Sequence, residues 1–229
     1  MARPNFVLSS PVYVARKHRE SAWFYTSRVP ATRKRRIGLL GGTFDPPHRG
    51  HLAAAAAVRA ELGLDEVWFV VANDPWQKSG ERAVTPAPVR LEMVVTAIAG
   101  HEGYRIDDRE VLRGGPTYTV DTLEEIRGEH DDVDLYLIVG QDTAQKISST
   151  WHRSDDVFAL STLVVVTRPG TQFNKSVVPE GSVFVEMTPV DVSSSRVREA
   201  ISRGESLGDA TPDAVVAFIR EHGLYGGAQ

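Results

Sequence analysis

With 229 residues, 41% of them hydrophobic, the chain is long enough for one sizeable α/β domain, and no stretch is apolar for long enough to span a bilayer. It has no cysteine, which excludes a disulfide framework, and no charged-then-apolar leader at its start, so a cytoplasmic protein is expected. The net charge of −4 hides an asymmetry: residues 1–36 hold nine basic residues and one acidic (+8), the remainder seventeen and twenty-nine (−12). So acidic a body argues against a nucleic-acid partner, because phosphate neutralisation supplies most non-specific affinity.

Residues 1–35 show no sustained periodicity and mix Pro4, Pro11 and Pro30 with scattered aromatics. They are expected to be a basic extension: a disordered segment, the product of a start assigned too early, or a tail that touches a partner. The domain proper is expected over 36–229. An apolar strand at 36–40 leads into the run Gly41-Gly42-Thr43-Phe44-Asp45-Pro46-Pro47-His48-Arg49-Gly50-His51, and the alanine-rich stretch 52–62 behind it is a strong helix. Strands follow at 66–72 and 104–107, with a helix at 89–99 between them. The loop at 73–88 is long, polar and rich in turn formers, and at the carboxyl end of a strand it is expected to cover the substrate. A helix at 120–127, capped by Thr117 or Thr119, precedes a strand at 135–139 that ends on Gly140. A turn or two of helix at 155–160 and strands at 162–167 and 183–187 come next, and helices at 194–203 and 212–222 close the chain. This alternation predicts a Rossmann-like, doubly wound parallel sheet with helices on both faces, a single domain with C-terminal helices.

The run from Gly41 to His51 lies where open α/β sheets bind ligands. A helix beginning near His51 directs its N-terminal N–H groups and positive dipole end toward an anion. His48 and His51, three residues apart, can donate to phosphate oxygens, and Gly41 and Gly42 allow a ligand close to the backbone. The same His-x-x-His pair is compatible with half a metal site, but no cysteine or third ligand stands nearby, and no protein ligand for a metal is assigned. Further on, Ser193 to Ser195 can cap the last-but-one helix and meet phosphate, with Arg198 one turn inside; an ordinary serine cap with a solvated arginine fits the same residues.

The Gly41–His51 run resembles the HxGH signature of the nucleotidyltransferase superfamily, whose members join a mononucleotide to the α-phosphate of a nucleoside triphosphate and release pyrophosphate. Within it, Gly114-Gly115-Pro116-Thr117-Tyr118-Thr119-Val120-Asp121-Thr122-Leu123, Gly140-Gln141-Asp142 followed by Trp151, Val192-Ser193-Ser194-Ser195-Arg196-Val197-Arg198 and Ile219-Arg220-Glu221-His222-Gly223-Leu224-Tyr225 resemble bacterial nicotinate-nucleotide adenylyltransferases. Val192 and Ser195 stand where that pattern has Ile and Thr, and His152 where some members have tyrosine.

The resemblance implies ATP, with Mg²⁺, and nicotinate mononucleotide as the partners, with no membrane; a homo-oligomer is left open. It implies an ATP side made of Gly41, Gly42, Thr43, Phe44, His48, His51, Arg168, Ser194, Ser195 and Arg198, with His48, His51 and Arg198 catalytic. The nicotinate mononucleotide side would comprise Thr43, Lys78, Thr85, Asp142 (to a ribose) and Trp151 (stacked on the pyridine). Plainer readings stand beside these: Lys78 as a solvated loop lysine, Asp142 as a helix cap, Trp151 as core, and Arg90 as a structural residue behind the site. The rivals for the whole chain are an HxGH transferase acting on phosphopantetheine or alcohol phosphates, one preferring nicotinamide mononucleotide, and a nucleotide-binding protein without turnover.

Overall fold

The computed structural model describes residues 33–75 and 84–226; Lys78 and most of the expected basic extension lie outside them. In chain order the elements are β1 (Arg35–Gly42), α1 (Arg49–Leu62), β2 (Glu66–Val71), α2 (Ala87–Ile98), β3 (Tyr104–Asp107), α3 (Arg109–Arg113), α4 (Thr119–Glu129), β4 (Val133–Gly140), α5 (Gln141–Ala144), α6 (Ile147–Thr150), α7 (Ser154–Leu160), β5 (Thr162–Thr167), β6 (Val183–Glu186), α8 (Ser194–Ser202) and α9 (Asp213–Glu221). All six strands pair in parallel in the order β3-β2-β1-β4-β5-β6, the doubly wound arrangement. No described helix is long and apolar enough to cross a membrane.

The middles of the central strands are apolar because both faces of the sheet are covered there, as a parallel sheet requires. Along β2, Trp68 and Val70 join Val120, Leu123 and Ile126 of α4 and Val157 of α7 on one face. The intervening Val67, Phe69 and Val71 join Ala55 and Val58 of α1 and Val94 and Ile98 of α2 on the other. Each large side chain so buried stabilises the fold by about 1.5–3 kcal/mol. A third cluster, Met93 and Ala97 of α2 with Val215 and Ile219 of α9, brings the C-terminal end of the chain back beneath the loop that follows β1.

Helix boundaries depart from the sequence pattern where local chemistry decides them. α1 begins at Arg49 with His48 as its N-cap, ahead of the expected start. Neither Thr117 nor Thr119 caps α4: its N-cap is Tyr118, without a side-chain cap bond, and the Thr117 hydroxyl instead accepts the Asn73 N–H at 3.1 Å. The short helices α3, α5 and α6 have four or five residues each, too few to display a 3.6-residue period.

Ile219 is 1% exposed, so Ile219→Ala is expected to cost about 2–5 kcal/mol by emptying the α2–α9 contact. Urea unfolding measures it, and a loss under about 1 kcal/mol would contradict this docking of α9.

Candidate active site

A cleft of about 490 Å³ opens at the carboxyl ends of the strands. Its floor is the junction of β1 and β4, neighbours in the sheet whose following helices leave for opposite faces, and such switch points hold the ligands of open α/β sheets.

One wall is the loop from β1 to α1. Gly41 lines the cleft, and a Cβ there would meet no protein atom within 4 Å. Gly42 is glycine for another reason: a Cβ would lie 2.9 Å from the ring of Phe44, which is 1% exposed and holds a positive φ of 50°. Phe44 thus braces the loop from beneath, edge-on to the His51 ring at 4.9 Å. The His48 and His51 rings stack with centroids 3.7 Å apart. The His48 N–H donates to His51 Nδ1 at 3.1 Å, half of a capping box in which a histidine replaces the usual glutamate. That bond makes Nδ1 the acceptor, so in neutral His51 the proton sits on Nε2. The helix end is less open than its dipole alone suggests: the Arg49 N–H donates to the Ala210 carbonyl and the His51 N–H to the His48 carbonyl, both at 2.9 Å. Gly50 matters too, since a Cβ on it would lie 3.0 Å from the His48 ring and 3.2 Å from Val192.

The start of α8 is bonded to this loop across the sequence. Ser193 caps α8 by accepting the Arg196 N–H at 3.3 Å, Ser194 Oγ donates to the Pro46 carbonyl at 2.9 Å, and Arg198 donates to the Asp45 carbonyl at 2.6 Å and to Ser195 Oγ at 3.0 Å. Ser194 is part of the cleft lining; Ser195 and Arg198, next to it on α8, are not. The Asp45 carboxylate, 1% exposed, accepts the Tyr225 hydroxyl at 2.7 Å and the Thr85 N–H at 3.5 Å. Burial, and then the neighbouring Asp45 carboxylate, raise the Tyr225 phenol above its ordinary pKa. Thr85 is therefore beside Asp45, outside the described lining.

The opposite wall carries Thr117, Tyr118, Thr119, Asp142, Trp151 and His152, with Arg168 at the end of β5. Tyr118 and His152 meet with ring centroids 4.7 Å apart, and Trp151 packs its inner side on the core. The wall is pinned to the segment after β2: Asn73 Nδ2 donates to the Gly115 carbonyl at 3.0 Å and the Thr117 N–H to the Asp74 carbonyl at 3.3 Å.

Sequence reasoning missed Glu110, a buried carboxyl of α3 that lines the cleft and accepts the Thr122 hydroxyl at 2.6 Å. No local pattern separates it from its charged neighbours, because its burial comes from α4, twelve residues on. Loss of water raises its pKa from an ordinary 4.5 to about 7, against the pull of Thr122 and Arg113. Among the described residues no three of His, Cys, Asp and Glu converge as a metal would require.

The family described as cytidylyltransferase-like matches residues 39–200. A Saccharopolyspora erythraea protein named "Probable nicotinate-nucleotide adenylyltransferase" is 42% identical over 197 residues, 86% of this chain and 92% of that one. A Streptomyces coelicolor protein of the same name is 42% identical over 189 residues, 82% of this chain and 100% of that one. The fold is similar to that of Plasmodium falciparum nicotinic acid mononucleotide adenylyltransferase complexed with NaAD, with a TM-score of 0.70 and 18% identity over 85% of this chain and 98% of that one. The same protein complexed with APC gives a TM-score of 0.68 at 17% identity, with the same coverage.

Two tests follow from the geometry. Gly50→Ala is expected to leave the protein folded, since alanine favours helix, yet to lower turnover about tenfold or more by displacing the His48 ring; unchanged turnover would contradict the close packing. Because Glu110 binds its proton more tightly when folded, its favourable contribution is complete below about pH 4.5 and gone above about pH 7. Glu110→Gln should therefore lose less stability than wild type between about pH 5 and about pH 8, by up to about 3 kcal/mol, in urea melts at the two values. Parallel pH profiles would remove Glu110 as the source.

Proposed function

The chain belongs to the nicotinate-nucleotide adenylyltransferases, within the cytidylyltransferase-like nucleotidyltransferases, and we propose that it transfers the adenylyl group of ATP to nicotinate mononucleotide, giving nicotinic acid adenine dinucleotide and pyrophosphate. The observation that carries this reading is one cleft with two unlike walls, a glycine and histidine wall suited to phosphate and an Asp and aromatic wall suited to a ribose and a flat ring. Its volume falls in the usual range of small-molecule sites.

A phosphate oxygen of nicotinate mononucleotide attacks the α-phosphorus of ATP in line. The new P–O bond forms as the bond to the β-phosphate oxygen breaks, and pyrophosphate carries off the electron pair. The protein supplies positioning and charge neutralisation, the chief resources for phosphoryl-type transfer. His48 and His51 donate to the triphosphate and Thr43 orients it. Gly41, Gly42 and Phe44 shape its bed. Ser194, Ser195 and Arg198 serve the β and γ phosphates from the rim, and Arg168 borders the adenine. Asp142 takes the ribose hydroxyls of nicotinate mononucleotide and Trp151 stacks on its ring, while Thr85 and Lys78 complete that side. Mg²⁺ would arrive as part of the Mg·ATP substrate and would screen the charge of the triphosphate and of the leaving pyrophosphate. A cytoplasmic location fits a reaction between two soluble nucleotides.

Pyrophosphate release with Mg·ATP, compared across nicotinate mononucleotide, nicotinamide mononucleotide and phosphopantetheine, tests the assignment. Nicotinate mononucleotide is expected to be strongly preferred, and equal or better use of either competitor would overturn the substrate choice. His51→Ala is expected to lower kcat about 10²-fold or more, the usual cost of one electrostatic stabiliser; near-normal kcat would remove His51 from the chemistry.

A further inference from the structure

Arg90 is among the largest fully buried side chains, 1% exposed, and it does not line the cleft. A guanidinium stays charged at any ordinary pH, so burying one without hydrogen-bond partners is costly. Here the fork is spent on main-chain carbonyls from three separate segments. Nε donates to Thr85 at 2.7 Å, Nη1 to Thr43 at 2.7 Å and Nη2 to Asn73 at 2.8 Å.

The three acceptors are not equivalent pieces of scaffold. Thr43 belongs to the wall that carries His48 and His51. Asn73 follows β2 and is joined by its side chain to Gly115 and by its N–H to Thr117, so it fixes the wall that carries Thr117, Tyr118 and Thr119. Thr85 meets the Asp45 carboxylate, which also takes Tyr225. One rigid planar group thus sits at the node from which both sides of the cleft diverge. A lysine ammonium is a compact charge on a flexible stem and cannot hold three carbonyls at the fixed angles of the fork.

We propose that Arg90 is a positioning residue for the transfer reaction: from behind the cleft it sets the distance between the Thr43–His51 wall and the Thr117–Thr119 wall, and so the approach of the acceptor phosphate to the α-phosphorus. The inference rests on the adenylyl-transfer reading. Such a role predicts an unusual split. Each ligand binds chiefly to its own wall, so binding of one alone survives the substitution, while the step that needs both in register suffers.

The test is Arg90→Lys in the full chain, with folded content and melting temperature measured alongside kinetics. The folded variant is expected to lose about tenfold or more in kcat, whereas the Kd for a non-hydrolysable ATP analogue changes by less than about threefold. A kcat per folded molecule equal to wild type, with only the melting temperature lowered, would reduce Arg90 to a structural residue and overturn the proposal. If Arg90→Lys does not fold, Asn73→Ala removes the half-exposed link to Gly115 while leaving the Arg90 acceptor in place. A kcat reduced severalfold at unchanged melting temperature then supports the relay, and wild-type kcat overturns it. A wild type that releases no pyrophosphate sinks the transfer reading and this role together; an active wild type with an equally active Arg90→Lys sinks this role alone.

Discussion

Between β1 and β4 the chain changes direction, α1 crossing one face of the sheet and α5 to α7 the other, and every feature of the site depends on the crevice that this opens. Towards the cleft the strands on either side offer mainly buried apolar side chains, such as Leu39, Leu40, Leu137, Ile138 and Val139. Chemistry is therefore confined to the loops at their carboxyl ends, where backbone and side chains are released from the ladder. Gly41, His48 and His51 come from the β1–α1 junction, Asp142 and Trp151 from the short helices that follow β4, and Arg168 from the residue after β5.

Loops that carry function are ordinarily the least constrained parts of a fold. Here they are tied to one another by polar groups from distant parts of the chain. The Asp45 carboxylate gathers Tyr225 and Thr85, its carbonyl takes Arg198, and Arg90 spans Thr43, Asn73 and Thr85. The C-terminal helix matters to this arrangement although it is remote in sequence, since the Met93–Ile219 contact delivers Tyr225 to Asp45. A transfer that relies on orientation rather than on a protein nucleophile gains from such stiffness, because small displacements of either substrate are costly.

The alternation of apolar runs with helical stretches made the six strands and their order of appearance legible in the sequence, and the Gly41–His51 run marked its own loop. What stayed hidden shares one physical cause: contacts between residues far apart in the chain. Glu110 is set apart from Arg109 and Arg113 only by its burial against α4, where it takes the Thr122 hydroxyl. Arg90 reads as a structural residue behind the site, but which segments it joins appears only with its three carbonyls. Gly42 reads as room for a ligand, whereas its space is taken by Phe44. Thr117 looks like a helix cap, and its hydroxyl is instead engaged by Asn73. Of the residues expected around the ligands, Gly41, Gly42, Thr43, Phe44, His48, His51, Asp142, Trp151, Arg168 and Ser194 line one cleft, while Ser195, Arg198 and Thr85 are not part of its lining. Lys78 falls outside the described residues.

The stereochemical course at phosphorus tests most directly that transfer is a single in-line displacement organised by two fixed walls. With ATP carrying a sulfur of defined chirality on the α-phosphate and nicotinate mononucleotide as acceptor, phosphorus NMR of the dinucleotide product reports the outcome. Inversion is expected, since one displacement inverts the centre once. Retention would require two displacements through a covalent nucleotidyl-enzyme, with His48 or His51 the first place to look, and would contradict catalysis by positioning alone.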